Sequence, residues 1–339
     1  KQIENMIKEF QIKSFGPIEN LEVNKLSKIN LIIGHNGSGK TYLLKSLFAA
    51  TKTVERYQRG AEPRSVKELL SNNLWWTFQT RQLKNLVKKG NEKLEFSMKN
   101  EKQECFSFDF GNFTTKDVNS VQNSFSPTDT NSIFLPAKEV LSLQNIIIKS
   151  REDDQIFGFD ETYFDLAKAL RPTKKGRNVS SFSKARKSLK DAIGGKIEFD
   201  DSKQTWVFRD NNNRAFDVDI TSEGIKKISI LDSLLGNHYL CKDSIVFIDE
   251  LESNLHPKLI RQFLEIIFLL AKDGLQFFIS THNYFVIKGL YNLAHKNKMS
   301  VPTISFSEDN VSISDLKEEM PNNPIIDESI NLYKEEIAL

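Results

Sequence analysis

The segment Gly34-His35-Asn36-Gly37-Ser38-Gly39-Lys40-Thr41 constrains this chain more than any other. It follows the apolar run Ile29-Asn30-Leu31-Ile32-Ile33 and precedes Tyr42, Leu43, Leu44, Leu47 and Phe48, which recur at helical spacing. A strand buried on both faces, a glycine-rich loop and a helix are expected in immediate succession. Spaced as G-x-x-x-x-G-K-[ST], such a loop turns its backbone N–H groups inward beside the positive end of a helix, a cradle for phosphate oxygens. Lys40 brings a mobile charge to the β- and γ-phosphates, and Thr41 a hydroxyl for Mg²⁺. Residues 34–42, Tyr42 included, are therefore expected to bind ATP.

A second apolar run, Ser244-Ile245-Val246-Phe247-Ile248, ends in Asp249-Glu250. Alone it reads as an ordinary acidic strand end. Beside a phosphate loop it fits ATP hydrolysis, in which one carboxylate holds Mg²⁺ and an adjacent one orients and deprotonates the attacking water. Asp249 fits the first role and Glu250 the second, and a general base contributes about 10²–10⁴-fold in rate. Upstream lies Thr221-Ser222-Glu223-Gly224-Ile225-Lys226-Lys227, a Ser-x-Gly before an amphipathic helix. Downstream lies Ile279-Ser280-Thr281-His282-Asn283, a strand ending in a histidine.

In this order the four motifs resemble those of ABC-type ATPase heads: phosphate loop, signature, acidic strand end and switch histidine. The intervals between the last three each accommodate one helix and one strand. Leu251-Glu252-Ser253-Asn254-Leu255-His256-Pro257 is similar to the D-loop of RecF-like and overcoming-lysogenization-defect (OLD) ATPases. The resemblance implies an α/β fold: an ABC-ATPase head with a mixed sheet, parallel at its core, flanking helices, an antiparallel β part and a short helical insertion. It also implies a homodimer or higher oligomer in which two heads sandwich two ATPs. Each ATP would lie between one subunit's phosphate loop and the other's Ser222, Glu223 and Gly224. His282 would hydrogen-bond the γ-phosphate or the attacking water beside Glu250, with ATP and Mg²⁺ as cofactors. The family's Q-loop should follow Ile133 to Leu135. That segment reads Pro136-Ala137-Lys138-Glu139 and the nearest glutamine is Gln144, so no residue is assigned to it.

Around these motifs, residues 1–58 read as the N-terminal part of the head, 59–92 as helical and 93–140 as a β-hairpin plus the Q-loop strand. Leu94, Phe96 and Met98, then Phe106, Phe108 and Phe110, alternate with polar residues as a hairpin does, and 112–131 reads as a polar loop. Residues 141–195 read as a basic helical insertion, 196–305 as the C-terminal part of the head and 306–339 as an acidic tail. The interval between Lys40 and Ser222 exceeds that of a compact transporter motor. Residues 141–195 carry no sustained heptads, so the arm of an SMC-like head is expected here as a short helical bundle. The layout resembles the stand-alone ATPases of bacterial anti-phage systems such as Septu and PARIS. The stretch after His282 is too short for the nuclease domain of OLD members, so nuclease or toxin activity is expected on a separate effector protein.

Composition removes other classes. Of 339 residues, 39% are hydrophobic and 27% charged, which suits a soluble globular chain. Net charge is +2, so charge matters only locally. Cys105 and Cys241 build no disulfide framework, and no Cys/His spacing resembles a zinc site. No leader and no membrane-length apolar run is read, so a cytoplasmic, ATP-driven machine is expected. Residues 168–190 hold nine cations and no acid. Arg171, Lys174, Lys175, Arg177, Arg186 and Lys187 are thus candidate contacts to DNA or a partner, against the alternative of a solvated helical face. Trp75 and Trp76 read as core or interface anchors. The leading reading is an ATPase that gates an effector in anti-phage defence; the second is a RecF-like DNA clamp of repair or chromosome maintenance.

Overall fold

The computed structural model describes residues 6–171, 182–203, 205–307 and 310–338; Lys174, Lys175 and Arg177 lie outside them. The first half comprises β1 (Ile7–Phe15), β2 (Ile18–Val23), β3 (Ile29–Gly34), α1 (Lys40–Arg56), α2 (Val66–Phe78), β4 (Lys93–Asn100), β5 (Cys105–Gly111), β6 (Ser120–Asn123) and β7 (Ile133–Leu135). Helices α3 (Gln144–Glu152), α4 (Glu161–Ala169) and α5 (Ser183–Ile193) follow, then β8 (Gly195–Asp200), β9 (Thr205–Asp210) and β10 (Ala215–Asp217). The remainder alternates: α6 (Glu223–Gly236), β11 (Ile245–Ile248), α7 (Pro257–Lys272), β12 (Gln276–Thr281), α8 (Tyr284–Asn297), β13 (Pro302–Phe306), β14 (Val311–Asp315) and α9 (Pro324–Ala338).

Six strands form the central sheet in the order β14-β13-β3-β12-β11-β7, parallel except for the β13–β14 pair. β3, β11 and β12 are buried at every position, as apolar strands covered on both faces must be. Their period-2 alternation splits the interior: Leu31, Ile248 and Ile279 enter one apolar cluster, Ile32, Phe247 and Phe278 the other. The second cluster takes in α1 and a five-stranded antiparallel sheet, β2-β1-β4-β5-β6. There the hairpin register sets Phe96 opposite Phe108, with ring centroids 4.9 Å apart. β6 falls inside the stretch that reads as a polar loop. Its four residues bring few apolar side chains, so backbone pairing with β5 makes the strand without an alternation signal.

Val140, Ile147, Leu166, Ala185 and Leu189 share one core cluster with Leu31 and Ile248. The region read as an arm is therefore a lobe packed on the head. The expected tail is also structured: β14 pairs with β13, and α9 closes the chain. A boundary at 305 would cut β13 between its core residues Ile304 and Phe306.

Charged side chains bind α1 to the lobe. Lys45 pairs with Asp160 at 2.6 Å, Lys52 with Asp165 at 3.1 Å and with Glu55 at 3.4 Å. Arg56 pairs with Glu161 at 2.8 Å and Asp165 at 3.0 Å, and Arg151 also pairs with Glu161. Burial alone would raise the Asp165 carboxyl, but the Lys52 and Arg56 charges outweigh it and hold it below its usual range. The Arg151 guanidinium lies 3.2 Å from the centre of the Trp76 ring, and Trp75 and Phe157 complete an aromatic cluster. Both tryptophans are thus packing anchors, as expected.

Candidate nucleotide site

β3, β12 and β11 are neighbours and parallel, so their carboxyl ends deliver the phosphate loop, Ser280–His282 and Asp249–Glu250 to one edge of the sheet. Ligands of open α/β sheets bind at such an edge. Gly39 caps α1 in the left-handed region, with φ 104°. At Gly34 a Cβ would stand 2.7 Å from Ser38 Oγ and 2.8 Å from Phe306 Cβ, so only glycine lets the loop leave β3 against β13. Lys40 is 7% exposed, and its Nζ donates to the carbonyls of Gly34 and His35, both at 2.8 Å. Burial lowers its pKa. Ser38 Oγ is buried within the loop with no protein partner.

Thr41 Oγ1 donates to the Asp249 carboxylate at 2.9–3.0 Å, and Ser280 Oγ donates to its Oδ1 at 2.6 Å. A hydroxyl and a carboxylate in contact are hard oxygen donors of the kind Mg²⁺ takes together with nucleotide phosphates, so the residues present fit that ion. The orphaned Ser38 hydroxyl and the buried Lys40 amine fit an anion in the same loop. Glu250 has φ 46°, a left-handed conformation costing a residue with a Cβ about 1–2 kcal/mol. Its N–H donates to Ser280 Oγ at 2.9 Å, and its side chain is left 38% exposed. His282 Nδ1 lies 3.9 Å from Glu250 Oε1 and 3.4 Å from Glu252 Oε1.

Three residues of this site carried no role in the sequence reading. Glu252, buried, accepts hydrogen bonds from Thr281 Oγ1 at 2.7 Å and from the His282 N–H at 3.1 Å, fixing the end of β12. Ser280 Oγ links the Asp249 carboxylate to the Glu250 N–H just after the adjacent strand. Lys227, on α6, donates to the Glu250 carbonyl at 2.7 Å and to Ser253 Oγ at 2.9 Å, and burial lowers its pKa to about 8. The signal for Ser280 and Thr281 was two hydroxyls directly after the apolar run Phe277-Phe278-Ile279 in a buried strand, where polar groups require partners.

The Tyr42 ring packs on Phe78 and Phe15, with centroids 4.5 and 5.4 Å away, so its side chain belongs to the core beside the loop. Gln144 Nε2 donates to the Ala167 carbonyl and its Oε1 accepts from Trp206 Nε1, a structural role. Ser222 caps α6 without a side-chain bond, and both Ser222 and Glu223 are exposed. Gly224 is buried: a Cβ there would meet the Asn254 carbonyl at 2.7 Å, so the start of α6 packs against the 251–257 turn. Among the described residues no hydrogen bond or ion pair joins Ser222 or Glu223 to residues 34–41 of the same chain. Arg171 pairs with Glu152 at 2.7 Å and Arg186 with Asp232 at 2.8 Å, while Lys187 is exposed on α5.

A family profile described as "AAA domain, putative AbiEii toxin, Type IV TA system" matches residues 29–288, from β3 into α8. The chain belongs to this family. No curated protein sequence matches it. Among solved structures, an SMC head bound to the C-winged helix domain of ScpA has a TM-score of 0.52 at 12% identity, covering 91% of this chain and 97% of that one. The SMC head of Pyrococcus furiosus with an extended coiled coil, bound to the C-terminal domain of ScpA, has a TM-score of 0.50 at 12% identity, covering 97% and 98%. The recombination mediator RecF with ATP has a TM-score of 0.44 at 12% identity, covering 91% and 99%. This AAA-family chain therefore has the fold of an SMC-type ATPase head, the α/β class expected from its motifs. Among the described residues no helix is long and apolar enough to cross a membrane.

Proposed function

We propose that the chain binds and hydrolyses ATP, that two copies close around two ATPs, and that this closure controls a separate effector protein, a nuclease or toxin, in cytoplasmic anti-phage defence. The observation that carries the reading is a divided site. One edge of the sheet gathers a phosphate loop, a Thr41–Asp249 pair, an exposed acid and a histidine, while Ser222 stands exposed beside the 251–257 turn and, among the described residues, makes no bond to the phosphate loop. A second copy would complete each site with its own Ser222–Gly224.

On this reading Lys40 exchanges the carbonyls of Gly34 and His35 for phosphate oxygens, and the loop N–H groups and the Ser38 hydroxyl hold the rest. Thr41 and Asp249 would hold Mg²⁺, which supplies charge neutralisation on the phosphates when bound. Glu250 takes the proton of the attacking water, and His282, steadied by Glu252, faces the γ-phosphate. The family description, with its toxin and toxin–antitoxin terms, supports an effector role. SMC heads of this fold are seen holding a partner protein, which supports partner control.

A second reading, a DNA clamp of the RecF or SMC kind, is favoured by the exposed Lys184 and Lys187 on α5, continuous in sequence with Lys174, Lys175 and Arg177. Duplex binding whose affinity falls steeply with salt, and flattens when those lysines are reversed, would favour it.

The test is Glu250→Gln. With ATP and Mg²⁺ the variant should retain nucleotide, release no phosphate and show a dimer mass by light scattering. Unchanged phosphate release, or a monomer with ATP bound, would contradict the proposal.

A further inference from the structure

The Glu250 peptide is gripped from both sides. Its N–H donates to Ser280 Oγ at 2.9 Å, and its carbonyl accepts from Lys227 Nζ at 2.7 Å, with the Ser253 hydroxyl 2.8 Å away. Ser253 Oγ also accepts from Lys227 at 2.9 Å and lies 3.1 Å from the Ala137 carbonyl after β7. A residue with a Cβ stays in the left-handed region only where its surroundings hold it there. One jaw of this grip belongs to α6, the helix that Ser222 caps. The same helix touches the turn again at Gly224, in close contact with the Asn254 carbonyl. The signature and the hydrolytic acid of one chain are therefore mechanically joined at two points, although they serve different nucleotides if two copies close around ATP.

We propose that Lys227 is a positioning residue through which nucleotide held against a chain's own signature sets that chain's Glu250. The inference rests on the two-copy reading above. Lys227 is half-buried, and its ammonium is committed to the 249–253 turn. An anion resting on the exposed N-terminus of α6 fixes the helix, and through Lys227 fixes the Glu250 carbonyl and the direction of its side chain. With α6 unengaged, the acid is less firmly aimed at water. Hydrolysis at one site then depends on occupancy of the other, and turnover should rise sigmoidally with ATP.

The experiment follows steady-state turnover against ATP concentration in wild type, Lys227→Met, Lys227→Arg and Ser253→Ala, with Glu250→Gln alongside for ATP-driven dimerisation. Lys227→Met should lower kcat by about 10²-fold, the loss expected from a small misplacement of a catalytic group. KM should change little, and the Hill coefficient should fall to one. Lys227→Arg, which keeps charge and donors, should recover part of kcat. Wild-type kinetics in Lys227→Met, hyperbolic turnover in the wild type, or equal losses in Met and Arg variants together with lost dimerisation would overturn the proposal. If Lys227→Met does not fold, Ser253→Ala decides: a lower kcat at unchanged KM supports the coupling, and unchanged kcat overturns it. A Glu250→Gln dimer alongside wild-type Lys227→Met kinetics removes the coupling and leaves the two-copy reading standing. A monomeric Glu250→Gln removes both.

Discussion

Helix α1 carries two groups of charged residues, and they are finished differently. Along its length Lys45, Lys52 and Arg56 meet Asp160, Glu55, Glu161 and Asp165, so each charge is answered by an opposite charge inside the protein. At its N-terminus Lys40 donates to carbonyls of its own loop, while Asp249 is met by the hydroxyls of Thr41 and Ser280. Buried charge is costly unless paired, so the first group reads as anchorage of the lobe to the helix. The second keeps a cation and an acid at one edge with polar neighbours and, among the described residues, no ion pair, ready for a ligand that carries both signs, as a Mg²⁺-nucleotide does. One helix thus fastens the lobe at one end and presents the ligand site at the other.

The sharpest way to break this contrast is to open the anchored group. Asp165→Ala leaves Lys52 and Arg56 short of a buried acid, and should cost about 3–5 kcal/mol in denaturant unfolding. Because the Asp165 pKa is depressed, its contribution stays in place above the ordinary aspartate value of 3.8 and is lost as pH falls through the lowered one. Lys40→Ala should do the reverse, lowering ATP turnover by about 10²–10³-fold while leaving unfolding without nucleotide nearly unchanged. Gly224→Ala forces a methyl against the Asn254 carbonyl and should cost about 1–3 kcal/mol of stability, read as a lower melting temperature. The smallest effect belongs to the exposed pair: Arg171→Ala, losing Glu152, should shift stability by only about 0.2–1 kcal/mol.

What could be read from the sequence was what is local in it. The loop from Gly34 to Thr41 and the Asp249–Glu250 end each sit within one strand–turn unit, and glycine and carboxylate positions there follow from backbone geometry and charge alone. Contacts that cross the sheet could not be read in the same way. Ser280 reaches Asp249 because β11 and β12 pair with Ile248 opposite Ile279, and Lys227 reaches Glu250 because α6 packs over that turn. The basic segment shows the same limit. Arg171 and Arg186 were candidate contacts to DNA or a partner, with a solvated face as the alternative, and nothing local in the sequence showed that they pair with Glu152 and Asp232, 19 and 46 residues away. Periodicity likewise found α3–α5 as helices without revealing that their apolar faces pack into the same core cluster as residues of the central sheet.

The central claim is that each working site is built from two chains, and complementation between two inactive variants tests it most directly. Lys40→Ala spoils the phosphate loop and Ser222→Arg spoils the exposed signature, so each variant alone should hydrolyse ATP poorly. Mixed, they can form a heterodimer with one intact site, composed of the loop of the Ser222→Arg chain and the signature of the Lys40→Ala chain. The account predicts that phosphate release rises on mixing well above the sum of the separate variants, in step with heterodimer content measured by mass photometry. No recovery in a mixture that contains heterodimer, or wild-type turnover by Ser222→Arg alone, would contradict it.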